Sequence, residues 1–77
     1  MSPQLMAASQ WVRSHKGAPL YGNEYPGIFL LALSGHLEGR KDRASMWLAA
    51  CMHPHNAQLI APILPLVEEL KLVIDRG

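Results

Sequence analysis

The chain has few of the features that usually stabilise a small protein. Its 77 residues include a single cysteine, which excludes an internal disulfide, and they contain no Cys-x-x-Cys pair of the kind that begins a zinc framework. A core of this size seldom supplies more than about 3–5 kcal/mol of net stability. We therefore consider a metal or a protein partner as a possible further source of stability.

Charged residues are also scarce. They make up 17% of the chain, below the roughly 25% typical of globular proteins. Seven basic and six acidic residues give a formal net charge of +1, so the chain lacks the excess of Lys and Arg that a polyanionic partner requires. With 49% apolar residues, a surface this poor in charge is expected to bind something apolar rather than nucleic acid.

Long hydrophobic runs are missing as well. No stretch approaches the roughly 20 apolar residues that span a bilayer, and the N-terminal residues lack the basic start and apolar core of a secretory signal. We expect no membrane partner, a cytoplasmic location and one small domain over residues 1–77.

The apolar spacing predicts an all-α fold. No segment alternates strictly between apolar and polar residues, so strands are not expected. Helices are predicted over about residues 3–14, 27–37, 43–52 and 57–75. Residues 17–27 are predicted to form a loop because they contain several Gly and Pro turn signals, and Tyr21 and Tyr25 are candidates to anchor that loop on the core.

Single residues mark the predicted helix ends. Ser2, Asp42 and Asn56 stand where N-caps of the first, third and fourth helices are expected. Gly39 suits a left-handed turn between the second and third helices. Pro62 and Pro65 interrupt the last apolar pattern and predict a kink or a late start near Pro62.

The last helix carries two apolar stripes. In one stripe the apolar residues step by 3 and 4, the spacing of a helix–helix seam: Ile60, Ile63, Val67, Leu70 and Ile74. Leu59, Leu66 and Val73 add a second stripe beside it. Together the stripes are wider than one neighbouring helix in a tiny domain needs. We therefore expect part of this apolar surface, and some of the four methionines, to form an interface.

Cys51, His53 and His55 form the one ligand-like cluster in the sequence. Zinc usually takes four ligands in a tetrahedral arrangement, and the rigid Pro54 hinders convergence of the two histidines. A thiol nucleophile needs a cleft and an oxyanion site, which the helical pattern does not supply. We favour a buried Cys51 with two exposed turn histidines, no cofactor and no enzymatic activity, and keep a zinc-dependent fold as a third hypothesis.

A short basic patch supports the main alternative function. Arg40, Lys41 and Arg43 flank a Gly-containing turn between two helices, an arrangement similar to a helix-turn-helix. Beyond its first turn, the helix that follows has almost no polar side chains to contact base edges. A small helical DNA-binding or transcription-modulating protein is therefore the alternative interpretation.

Residues 28–56 resemble one tetratricopeptide-like repeat of about 34 residues. Small residues, notably Ala32 and Ala44, allow two antiparallel helices to approach closely, while Gly35 stands where an aromatic residue is usual. The matching positions are Ile28, Leu31, Ala32, Gly39, Ala44, Leu48 and Cys51. The expected architecture is an antiparallel helical hairpin with a flanking N-terminal helix and a longer C-terminal helix.

A narrower resemblance covers residues 22–70. The stretch "GNEYPGIFLLALSGHLEGR", a second helix, a short break and a last helix with "VEELK" are similar to the tetratricopeptide-like chaperone of type III secretion needle subunits. The resemblance implies a non-enzymatic bacterial cytosolic protein, linked to virulence, that keeps a needle subunit monomeric together with a small helical co-chaperone. Without its partners, such a chain is expected to be able to form homo-oligomers.

The same resemblance implies a set of partner-binding residues. The concave face of the repeat would receive an amphipathic helix of the needle subunit, the last helix would close the groove, and Trp47 would lie in the groove or in the core. The predicted partner-binding residues are Ile28, Phe29, Leu31, Leu33, Trp47, Ile63, Val67 and Leu70.

Overall fold

The computed structural model describes residues 1–15 and 25–76, and within these ranges the protein is helical with no strand. The all-α prediction is confirmed. The α-helices are α1 (Pro3–Ser14), α2 (Gly27–Leu37), α3 (Lys41–Met52), α4 (Ala57–Ile60) and α5 (Leu64–Arg76), with 3₁₀ turns at Pro54–Asn56 and Ala61–Ile63.

The first three helices lie close to their predicted bounds. α1 and α2 have the predicted limits, but α3 begins at Lys41, two residues earlier than expected. Its N-cap is Arg40, which makes no capping bond through its side chain, and Asp42 lies in the first turn. The predicted capping role of Asp42 is therefore wrong, although its negative charge is still favourable near a helix N-terminus.

The predicted last helix is interrupted at Pro62. A 3₁₀ turn over Ala61–Ile63 separates α4 from α5, because proline has no N–H to donate and its ring clashes with the preceding turn. The predicted kink is confirmed. Asn56 occupies the N-cap position of α4, but its side chain does not cap that helix. Its Nδ2 instead donates to the backbone oxygen of Ala50 at 2.8 Å and so provides a hydrogen bond for a carbonyl group at the C-terminal end of α3.

α2 and α3 form a closely packed antiparallel hairpin. Gly39 has φ 75° in the connecting turn, as predicted. A Cβ on Gly35 would lie 3.0 Å from the backbone nitrogen of Ala44, and Ala32 and Ala44 are fully buried. α3 therefore leaves little room for a side chain at Gly35.

α5 packs against this hairpin, and α1 packs against α2 and α5. Ile74 borders Lys41 and Gly39 at one end, and Leu64 borders Cys51 at the other, so α5 runs antiparallel to α3. The shared core holds Leu5, Ala8, Val12, Phe29, Leu30, Ala32, Leu33, Ala44, Leu48, Cys51, Ile60, Val67, Leu70 and Ile74.

The predicted loop falls largely outside the described residues, and Tyr21 lies there too. Tyr25 is described and half-buried. Its ring centroid lies 6.1 Å from that of Trp11 on α1 and 6.0 Å from that of Phe29 on α2. Tyr25 thus contacts the core, as predicted for a loop anchor.

Candidate protein-binding surface

The residues predicted to bind a partner divide into a buried set and a surface set. Phe29, Leu33, Val67 and Leu70 are all 0% exposed and belong to the core. A partner cannot touch them in this conformation. Direct contact would require one of the covering helices to move.

The other four predicted residues are half-buried: Ile28, Leu31, Trp47 and Ile63. Ile28 and Trp47 pack against the edge of the core, so Trp47 is partly a core residue and partly a surface residue. Ile63 lies in a surface groove. The predicted residues therefore do not form one continuous binding face, and Ile63 marks the accessible part.

We call that depression the proline groove. It has a volume of about 480 Å³ and lies between the start of α1 and the kink before α5. It is lined by Ser2, Gln4, Pro62, Ile63, Pro65, Leu66 and Glu69. Ile63 and Leu66 are half-buried and Pro62 and Pro65 are exposed, so the groove offers mainly apolar surface, with the polar side chains of Ser2, Gln4 and Glu69 in its lining.

The kink creates this groove. Pro62 lies within the 3₁₀ turn and Pro65 within the first turn of α5, where the missing N–H of a proline is tolerated. Because neither ring carries a donor, the wall they form is apolar and conformationally restricted. The sequence feature that predicts a kink therefore also determines where the surface is concave.

Ser2 and Glu69 join the two sides of the groove. The Ser2 hydroxyl accepts the N–H of Leu5 at 3.2 Å, which confirms its predicted capping role, and donates to Glu69 Oε1. The Ser2 backbone N–H donates to Glu69 Oε2 at 2.5 Å. We call these two Ser2–Glu69 bonds the latch.

The latch also affects the charge of Glu69. Hydrogen bonds from the hydroxyl and the backbone N–H of Ser2 hold the pKa of the Glu69 carboxyl below its usual value, because both bonds favour the ionised form. No local pattern could have revealed the contact, because the two residues are 67 positions apart.

Large apolar side chains remain exposed elsewhere on the surface. All four methionines of the chain are 49–57% exposed. Leu59 of the second predicted stripe is 53% exposed, while Leu66 and Val73 of the same stripe are half-buried. Leu66 and Val73 pack against the core, so Leu59 is the one residue of this stripe that is left exposed, and the interface expected there stays a prediction.

The Cys51 region does not resemble a reactive or metal-binding centre. Burial raises the pKa of the Cys51 thiol to about 11, so the thiol is neutral near pH 7 and a poor nucleophile. His53 and His55 are exposed, and the His55 N–H donates to His53 Nδ1 at 3.0 Å. Across residues 1–15 and 25–76, no three His, Cys, Asp or Glu side chains are grouped to hold a metal.

The basic patch is exposed at the hairpin turn. Arg40, Lys41 and Arg43 all face solvent, and Arg40 Nε lies 3.7 Å from Glu38 Oε2. Past its first turn, α3 exposes Ser45, Met46, Ala49 and Met52, of which only the serine offers a hydrogen-bonding side chain. This surface is a poor match to a recognition helix.

No helix within the described ranges is long and apolar enough to cross a membrane. No family model matches the chain, and searches of curated proteins and of solved structures find no match either.

Proposed function

We propose that this protein is a non-enzymatic adaptor or chaperone that binds an amphipathic helix of a partner protein, using the proline groove. The observation that carries the proposal is the groove itself: an apolar depression of about 480 Å³ containing Ile63 and Leu66. Helix-in-groove recognition requires such a surface on a stable helical scaffold.

The rest of the surface supports an interaction role. Monomeric proteins seldom expose large contiguous apolar areas, and methionine adapts its shape to different partners. Here every methionine is about half exposed, and charged residues make up only 17% of the chain. A chain that binds an apolar helix benefits from such side chains, because they can extend the contact beyond the groove.

The resemblance to needle-subunit chaperones makes the proposal more specific. It suggests a bacterial cytosolic protein, a secretion needle subunit as the bound chain and a second small helical protein as co-chaperone. This assignment depends on the sequence resemblance alone, since the comparisons with known proteins add no support for it.

Co-expression with small reading frames from its own genomic neighbourhood tests the proposal. We expect one neighbouring product to co-purify as a defined complex and to raise the thermal stability of this chain, because ligands that bind the folded state stabilise it by mass action. A genomic neighbourhood without secretion genes would contradict the needle-subunit assignment.

Two matched variants then locate the binding site. Ile63→Asp places a charge in the proline groove, whereas Leu72→Asp places the same charge on a 57% exposed position of α5 outside it. With helicity of both variants checked by circular dichroism, we expect Ile63→Asp to lose the partner and Leu72→Asp to retain it. Equal partner binding by the two variants would show that the partner does not bind in the proline groove.

A further inference from the structure

We infer that two copies of this chain associate symmetrically through an uncharged face around Met52 and Leu64, which we call the Met52 face. At its centre is a hollow of about 170 Å³ between the end of α3 and the start of α5, lined by Cys51, Met52, His53, Ala57, Ile60, Ala61 and Leu64. The lining shares no residue with that of the proline groove. This inference therefore goes beyond the proposed function and does not rest on it.

The first argument is the distribution of charge along the chain. Residues 44–67 contain no Asp, Glu, Lys or Arg, so all seven basic and all six acidic residues lie before or after this stretch. The stretch covers most of α3, all of α4 and the start of α5. Protein interfaces have few charged residues at their centre and are enriched in methionine. Residues 44–67 therefore have the composition of an interface core rather than that of a solvated surface.

The second argument is that this stretch is accessible over a large area. Four of its large apolar side chains are 42–57% exposed: Met46, Met52, Leu59 and Leu64. Its buried residues are Ala44, Leu48, Cys51, Ile60 and Val67. The chain exposes 5057 Å² in total. At the mean exposure per residue, half of the stretch supplies the roughly 800 Å² that each partner contributes to a standard protein interface.

The third argument is that the Met52 face is complementary to itself. A symmetric contact between two copies requires the same surface to present both a projection and a depression. Met52 and Leu64 are 49% and 42% exposed and border the hollow, while Ala57 and Ala61 are exposed residues with small side chains in its lining. The long side chains of one copy can therefore pack over the alanines of the other.

The charge distribution also favours a second copy over other occupants. Membrane surfaces and nucleic acids attract basic residues, but Arg40, Lys41 and Arg43 lie around the N-terminal end of α3. The Met52 face lies at the other end of this 12-residue helix, about 18 Å away. Among the described residues, none that lines the hollow is Asp, Glu, Lys or Arg, so a charged peptide would bury its charges unpaired. Two copies with a net charge of +1 each repel one another only weakly.

Sedimentation velocity of the full chain over a concentration series tests this inference. Leu64→Asp places a charge in the Met52 face at the first residue of α5, where a negative charge favours the helix. Leu72→Asp, the matched control, places the same charge on the same helix at a position that does not line the hollow. We expect wild type and Leu72→Asp to dimerise. Leu64→Asp should raise the dimer dissociation constant about tenfold or more, because the dimer would bury two unpaired carboxylates.

Met52→Lys is a second test variant, which adds a positive charge at the last residue of α3, where the helix dipole favours it. Circular dichroism checks that both variants keep the helicity of wild type, and we expect Met52→Lys to weaken the dimer as Leu64→Asp does. Three results would each overturn the inference: a wild-type chain that stays monomeric at about 1 mM, a dimer that survives either substitution in the folded chain, or equal weakening by Leu72→Asp. Because Leu64 does not line the proline groove, Leu64→Asp should still bind the partner, so either proposal can fail without the other.

Discussion

At the residue scale, two single side chains determine how the helices pack against one another. Gly35 allows α3 to approach α2, and Glu69 fixes the start of α1 to α5. Both residues act through contacts with distant parts of the chain. Ala32 and Ala44 could be singled out from the resemblance to a tetratricopeptide-like repeat. The partner of Glu69 could not be predicted, because a single side-chain contact leaves no periodic signal.

Gly35→Ala should destabilise the protein. The added methyl would lie 3.0 Å from a backbone nitrogen of α3, and overpacking of this kind costs about 1–3 kcal/mol. The gain in helix propensity from Gly to Ala is at most about 1 kcal/mol. We expect a lower midpoint of urea unfolding and an unchanged dependence of the free energy of unfolding on urea concentration. An increase in stability would contradict the close approach of α2 and α3.

The contribution of the latch should depend on pH. Since the folded pKa of Glu69 is lowered by its Ser2 hydrogen bonds, the stabilisation is fully present above the unfolded pKa of about 4.3 and is lost as the pH falls through the folded pKa. The free energy of unfolding, measured in urea, should therefore be lower for Glu69→Gln than for wild type at neutral pH, and the two values should converge in acid. Glu68→Gln should follow wild type throughout; a constant difference between Glu69→Gln and wild type would show that the carboxylate charge is not involved.

At the scale of elements, the interruption of the last helix matters most. Sequence analysis predicted the kink at Pro62 but treated the segment as one helix, because its apolar spacing continues through the break. The spacing of Ile60, Ile63 and Val67 is preserved since the 3₁₀ turn keeps the chain direction nearly helical. The concave surface could not be predicted, because it depends on where the start of α1 meets the kink.

Pro62→Ala should join α4 and α5 and alter the proline groove. Removing the ring restores a backbone donor and relieves the clash with the preceding turn, so we expect a small increase in helical circular dichroism together with weaker partner binding. Pro54→Ala serves as the control, since Pro54 is exposed, lies outside the proline groove and stands at the first position of a 3₁₀ turn, where proline is tolerated, so its replacement should change helicity and binding little. Unchanged binding by Pro62→Ala would show that the kink does not shape the site.

At the scale of the whole molecule, an apolar and weakly charged chain folds, over residues 1–15 and 25–76, into five α-helices that bury one core and still leave large apolar side chains exposed. The helix order and most helix ends follow from the apolar spacing and from the positions of Gly and Pro, which is why they could be predicted. Which apolar residues are buried depends on the packing of α1 and α5 on the hairpin. Phe29 and Leu33 were accordingly predicted to be groove residues and are core residues instead.

The most direct test is a nuclear magnetic resonance titration of the isotope-labelled chain with the amphipathic helix of its co-purified partner. The account predicts amide shift changes concentrated at Ile63, Leu66 and Glu69. Changes concentrated at Arg40–Arg43 or at Cys51–His55, with the proline groove unaffected, would contradict it.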